Sequence, residues 1–187
     1  MSSGSTPITD VGRPQGGDVL ELILDDHRRF EALLRELRDS SSDRDAVRRA
    51  FAALHVAHAE AEERFVYPTL RRERAIGEHE AEHGAEEHAE GNQALLAVLE
   101  ADELAGDEFD ELVEELAGTV NHHLTEEELT ILNPAREDVA EDLRRELGTA
   151  FAQERNRQLD GDCGRVSNVR DIVARADRRG RLADGDH

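Results

Sequence analysis

The apolar positions fall at helical intervals. Leu20, Ile23, Leu24, Phe30, Leu33, Leu34 and Leu37 lie on one face of a helix predicted from Asp18, an N-cap after Gly16-Gly17, to about Arg38. The run from Ser40 to Asp43 ends it and caps a second helix, which carries Val47, Phe51, Leu54, Val56, Phe65 and Leu70. Pro68 sits inside that pattern and is expected to kink or interrupt it. Gly77 marks a break before a third helix, from about Glu78 to Leu104. Its first half is nearly all Glu, His and Ala, and its second half is apolar at Leu95, Leu96, Val98 and Leu99. Gly106-Asp107 separates it from a fourth helix running from Asp107 past Leu132 to Pro134. Beyond Pro134 the pattern weakens. Residues 138–151 allow a fifth helix with Val139, Leu143 and Leu147 along one side, and the chain after Phe151 is polar with few apolar residues. The expected organisation is a disordered segment over residues 1–17, a four-helix domain over 18–135, and an extension over 136–187 that is partly helical, largely mobile and adds little core.

Composition sharpens this picture. A chain of 187 residues suits one domain with tails. Charged residues make up 36% and aromatics are scarce, with five Phe, one Tyr and no Trp. That balance fits either disorder or helices with wide solvated faces, and the helical spacing of Leu and Ala favours the second. The formal net charge of −21 argues against nucleic acid or an anionic membrane as partner, and is compatible with attracting cations. No apolar run approaches the roughly 20 residues of a membrane span. Met1 to Gly17 lacks the charged-then-apolar layout of a signal peptide, and the single cysteine, Cys163, cannot form an internal disulfide. A cytoplasmic location is expected.

The two halves of the predicted helical region repeat each other. His27 is followed by Phe30, Leu33, Leu34 and Leu37, and His88 by Gly91, Ala94, Leu95 and Val98 at the same offsets, with Asp26 and Glu87 preceding the two histidines. His58 and His123 each have a glutamate four residues on, Glu62 and Glu127, followed by Glu63 and Glu128. Both segments then reach a proline, Pro68 and Pro134, with one extra residue in the second. Each half is therefore a helical hairpin offering one His from its first helix and His-x-x-x-Glu from its second.

Residues i and i+4 share a helix face, about 6 Å apart along the axis, so one imidazole and one carboxylate can reach a common ion or adjacent ions. Two hairpins packed face to face bring His27, His58, Glu62, His88, His123 and Glu127 to the centre, where helical bundles build metal sites. Such a set suits iron, manganese or zinc, and carboxylates can bridge two ions. His122 lies about 100° from His123 and is expected to be exposed, with a register of His122 and Glu126 as the alternative. His55 lies near the inner face, with a place behind the ligands as its alternative. His79 and His83 read as solvated, Glu63, Glu126 and Glu128 as solvent-facing with each left open as an alternative ligand, and His187 has no assigned role. Tyr67 is expected to pack near the proline, the alternative placing its hydroxyl in or near the metal site.

The residues Asp26-His27, His58 to Glu62-Glu63 through Tyr67-Pro68, Glu87-His88 and His123 to Glu127-Glu128 resemble the hemerythrin/HHE cation-binding family over roughly residues 18–135. The resemblance implies an all-α, antiparallel up-down four-helix bundle. It also implies a non-heme pair of iron ions held by terminal histidines and bridging carboxylates. The oxygen-carrying hemerythrins are richer in histidine, with a His-x-x-x-His pair on the third helix and an aspartate on the fourth. This chain is closer to bacterial members linked to oxygen or iron sensing, nitric oxide chemistry and peroxide removal. The function so implied is binding of, or reaction with, O2, peroxide or nitric oxide, the alternative being a sensing module without turnover.

Overall fold

Asp18 opens the first helix, α1 (Val19–Arg38), by accepting from the Leu20 amide at 3.0 Å, and Asp43 caps the second through the Ala46 amide. These positions come from a computed structural model, which describes residues 7–182; Met1 to Thr6 of the expected disordered segment, and His187, lie outside the described residues. The second helix, α2, is a continuous rod over residues 44–72. It runs regularly through Arg44–Ala61, widens into a π-helical turn over Glu62–Val66, and is regular again over Tyr67–Arg72. Helix α3 is Glu78–Glu100. Helix α4 repeats the form of α2 over residues 107–138, with regular Asp107–Glu127, a π turn at Glu128–Leu132, and Asn133–Asp138. Two further helices follow, α5 (Glu141–Asp160) and α6 (Val166–Arg178).

The prolines do not break their helices. Inside a regular helix, proline removes an i→i−4 bond and its ring crowds that carbonyl. Here each π turn lies just ahead of the proline, with the Tyr67 amide bonding Glu62 O and the Asn133 amide bonding Glu128 O, five residues back. The missing donor thus falls where the regular ladder has already been interrupted. The π turn starts at Glu62, four residues after His58, and at Glu128, five after His123, which accounts for the extra residue in the second copy. Helix α3 ends short of Leu104 because the Arg48 guanidinium takes the carbonyls of Val98, Leu99 and Ala101 at 3.0–3.3 Å.

Helix α1 packs on α2 and α3 on α4, while contacts of α2 with α3 and of α1 with α4 close a ring of four. The ring has two apolar clusters. One is built around Phe30, Leu37, Phe51, Leu95 and Phe109, the other around Leu20, Ile23, Val66, Leu132 and Phe151. On α1, His27 falls between Ile23 of one cluster and Phe30 of the other, so the polar centre is sealed on both sides along the helix axis.

The extension departs from expectation. Helix α5 packs against α1 and α2, and α6 against α3. Leu147, Phe151, Ala152, Arg155, Cys163 and Val169 are all buried. The approach is close enough that a Cβ on Gly148 would lie 2.0 Å from Gly17 O, and one on Gly164 would lie 2.4 Å from Ala53 N. Residues 11–14 run along α5, where Val11 O and Gly12 O accept from Arg155 and Pro14 O accepts from Asn156. The sequence underrated this extension because its few large apolar residues, Leu147, Phe151 and Val169, are widely spaced, and the rest of its buried surface comes from small residues and from Arg155, which have no periodic signature.

Candidate metal centre

One turn of each ring helix carries the polar centre. Because His58 and Glu62, and likewise His123 and Glu127, are separated by four residues, each pair projects from one face. All six residues singled out in the sequence come together and are buried: His27, His58, Glu62, His88, His123 and Glu127. His58 Nε2 and His88 Nε2 each lie 3.2 Å from Glu62 Oε2; His27 Nε2 lies 3.2 Å and His123 Nε2 3.7 Å from Glu127 Oε2. Potential ligand atoms of His58, Glu62, His88 and His123 lie within 4.8 Å of one another, and so do those of His27, His58 and Glu127.

The outward nitrogen of every one of these histidines meets a carboxylate. His27 Nδ1 is 2.9 Å from Glu128, His58 Nδ1 3.2 Å from Asp26, His88 Nδ1 3.2 Å from Glu63, and His123 Nδ1 3.0 Å from Glu87. Each acid adjoins, in sequence, a central residue on one helix and backs the histidine of the next. Asp26 of α1 backs α2, Glu63 of α2 backs α3, Glu87 of α3 backs α4, and Glu128 of α4 backs α1, so the ring closes. A residue one position away on a helix is rotated by about 100°, which here aims it into the seam with a neighbour. Glu63 and Glu128, expected to face solvent, therefore belong to the centre. Asp26 and Glu87 were legible only as partners in the repeat.

These carboxylates fix the imidazoles. Burial pushes Asp26 up, but the hydrogen bond from His58 and the charge of Arg155 outweigh it and hold the carboxyl below its ordinary value. Ionised Asp26 only accepts, so His58 must donate from Nδ1, and Nε2 is the atom presented to the centre. In the metal-free protein, burial depresses His58, but Glu62 and Asp26 override it and raise its pKa to about 10. His88 is likewise depressed by burial and raised by Glu62 and Glu63 to about 9. Burial also opposes ionisation of Glu62, yet His58 and His88 hold it well below the ordinary range. His123 moves down, from burial and the neighbouring His88.

The donor set fits a metal. Nε2 of His58, His88 and His123 and Oε1 of Glu62 are buried without a hydrogen-bond partner, the 3.2 Å contacts to Glu62 Oε2 missing hydrogen-bond geometry. Leaving such atoms unpaired costs roughly 1–3 kcal/mol each, and inward-facing nitrogens backed by carboxylates are the arrangement that orients histidine ligands. In the metal-free protein, protons on His58 and His88 together with Arg155 offset the negative charge of buried Glu62, Asp26 and Glu87, and a bound cation would take the place of those protons.

Tyr67 follows the alternative reading. Its hydroxyl donates to Glu127 Oε1 at 2.9 Å and lies 3.4 Å from Glu62 Oε2, joining the two central glutamates. Burial, then the charges of Glu127 and Glu62, push its pKa well above the ordinary value, so it remains a phenol. Its ring stacks on His88 at 5.9 Å and occupies the space that a Cβ on Gly84 would claim. His55 is buried beside Phe51 and Gly91, its pKa held well below the ordinary value by burial and the neighbouring histidines, and it stands outside the central set. His79, His83 and His122 are exposed, so the inward register is His123 with Glu127. Arg155 and Arg181, which reach the outer carboxylates from beyond α4, had no signal in the sequence.

Comparison with known proteins agrees with this geometry. The chain is 28% identical over 147 residues to a protein named DNA nickase from Nostoc sp. strain PCC 7120, a match covering 77% of this chain and 41% of that relative. The chain therefore spans less than half the length of that curated relative. No solved structure matches. Residues 18–135, from the cap of α1 to just past Pro134, match the hemerythrin HHE cation binding domain, and they contain all six central residues and the four carboxylates behind them. The chain belongs to the hemerythrin HHE cation-binding family.

Proposed function

We propose that the ring of four helices is an antiparallel up-down bundle whose centre binds two iron ions. The ligands are His27, His58, Glu62, His88, His123 and Glu127, and the loaded protein reacts with small oxidants, namely hydrogen peroxide, O2 or nitric oxide. The observation that carries this reading is the convergence of four histidines, each pinned by an outer carboxylate, on two buried glutamates. Such a pair, when bound, would supply Lewis acidity and exchange electrons with a diatomic or peroxide ligand. The protein supplies the rest. Glu62 and Glu127 would hold the ions through their carboxylates, Tyr67 keeps its proton at Oη against Glu127, and Phe30 and Phe151 pack on His58 and limit water. Four histidines and two carboxylates make a set poorer in nitrogen ligands than that of the oxygen carriers, which leaves more of the coordination to an incoming ligand and favours turnover over reversible carriage.

The test is direct. Protein purified without chelator should carry about two iron atoms per chain and consume peroxide or nitric oxide, and His58→Ala should lose both properties. A single tightly bound zinc would refute the iron pair. A stable, reversible O2 adduct without turnover would favour a binding or sensing module. Nicking of DNA, suggested only by the name of the longer relative, is opposed by the net charge of −21, which repels phosphate.

A further inference from the structure

Three of the four outer carboxylates have a partner besides the histidine they brace. Asp26 is gripped at both oxygens by Arg155, at 2.7 and 2.8 Å. Glu63 accepts from Arg181 at 3.2 Å through the oxygen that does not face His88. Glu128 is 47% exposed, so water reaches it. Glu87 is different. Its Oε2 meets His123 Nδ1 at 3.0 Å, but its Oε1 is buried and has no hydrogen-bond partner. Leaving an oxygen of a carboxylate in that state costs more than leaving a neutral group unpaired.

Two imidazoles come within reach of that oxygen. His83 Nε2 lies 3.6 Å and His122 Nε2 3.5 Å from Glu87 Oε1. Neither contact is a hydrogen bond, but both suit a different arrangement. Two atoms bonded to one tetrahedral ion at roughly 2.0–2.2 Å stand about 3.4 Å from each other. His83 and Glu87 are four residues apart on α3, so they share a face as His58 and Glu62 do, and His122 comes from α4 across the seam. Both rings are largely exposed, at 46% and 65%. Among the described residues only the buried sets hold all their ligand atoms within 4.8 Å of one another, so this cluster closes on an ion through a turn of the exposed rings.

We propose that His83, Glu87 and His122 form a metal site of their own on the α3–α4 seam, separate from the buried centre, which takes a divalent ion of the zinc, cobalt or iron(II) class. Two imidazoles and one carboxylate oxygen select such an ion over calcium or magnesium, which take oxygen ligands. The ion supplies at Glu87 the positive charge that Arg155 supplies at Asp26 and Arg181 at Glu63. Three protein ligands leave a fourth position to water. Glu78, Glu80, Glu82 and Glu86 crowd the same stretch of α3 and, with the net charge of −21, concentrate cations around it. Because Glu87 Oε2 still braces His123, the site lies one carboxylate away from the centre.

The test is a calorimetric titration of the full-length chain with zinc, after its centre has been loaded with two equivalents of iron and the protein desalted. The wild type should take up one further zinc per chain. His83→Ala and His122→Ala should each weaken that binding by about tenfold or more, since losing even an outer support of a ligand costs roughly 10–100-fold. Both residues are exposed, so neither substitution removes core, and circular dichroism should be unchanged. His79 stacks on His83 at 6.0 Å but lies outside the cluster, so His79→Ala should bind zinc as the wild type does. No further zinc in the wild type, or full affinity in His122→Ala, would overturn the proposal. So would a loss in His79→Ala with none in His122→Ala, which would put the ion on the stacked histidine pair instead. Each variant is compared with a wild type in the same loading state. A centre that holds no iron pair would therefore refute the proposed function without touching this inference.

Discussion

At the scale of single residues, the centre separates atoms that face inward from atoms that hold them in place, and the two classes should respond differently to mutation. Glu62→Ala and Glu127→Ala remove central oxygens from fully buried positions and should abolish retention of the pair. Glu63→Ala and Glu128→Ala remove only the brace behind one histidine, and should weaken iron binding by about 10–100-fold. Glu126→Ala, outside the centre, should leave iron content unchanged. Elemental analysis after dialysis orders the five variants; equal loss in all would mean that the inward register is misassigned. The histidines also predict a pH dependence. In the metal-free protein His58 and His88 titrate at about 10 and about 9, above the ordinary value of 6.5. A folded pKa raised above the unfolded one adds stability that is complete below about 6.5 and is lost as pH climbs through the folded value. Metal-free protein should therefore lose thermal stability between about pH 6.5 and 10. Iron-loaded protein should not, because the ligand nitrogens carry no proton to lose. Melting curves with and without chelator decide it, and a flat metal-free profile would count against these protonation states.

At the scale of elements, the hairpins and their caps could be read directly, since Asp18 and Asp43 cap as expected and the apolar stripes mark the buried faces. The π turns could not. A proline within a helical pattern signals an interruption, but whether the chain bends, stops or widens depends on what must pack there. Here the helix widens at the two His-x-x-x-Glu segments, in keeping with the frequent occurrence of such turns at functional sites. Contact between elements also sorts the glycines. Gly148→Ala and Gly164→Ala would each drive a Cβ into neighbouring backbone, and should destabilise by about 2 kcal/mol or more. Gly118 lies inside α4 with open space where its Cβ would stand, so Gly118→Ala should stabilise by about 0.5–1 kcal/mol. Urea unfolding of the three variants tests the docking of α5 and of the Cys163-Gly164 turn; similar values for all three would contradict the close approach.

At the scale of the whole molecule, the chain past α4 is structural. Deleting residues from 141 onward removes Arg155 and Arg181 and uncovers the surface that Leu147 and Phe151 bury. The truncated protein should lose iron and part of its remaining helicity, as read by metal content and circular dichroism. Full retention of both would show that the ring of four helices stands alone. The sequence by itself determined the four helices of the ring, their pairing into two like hairpins, and the six central side chains, but not α6. Spacing of three and four residues fixes which side chains share a face, and repetition fixes how two faces match. Tertiary structure alone decided what stands behind that face. A side chain about 100° off the inward direction points either to water or into the seam with a neighbour, and helical periodicity does not distinguish the two. Thus His122 is exposed while Glu63 and Glu128 brace the centre, and Arg155, remote in the chain and lacking any periodic signature, is buried because the fold brings Asp26 to it.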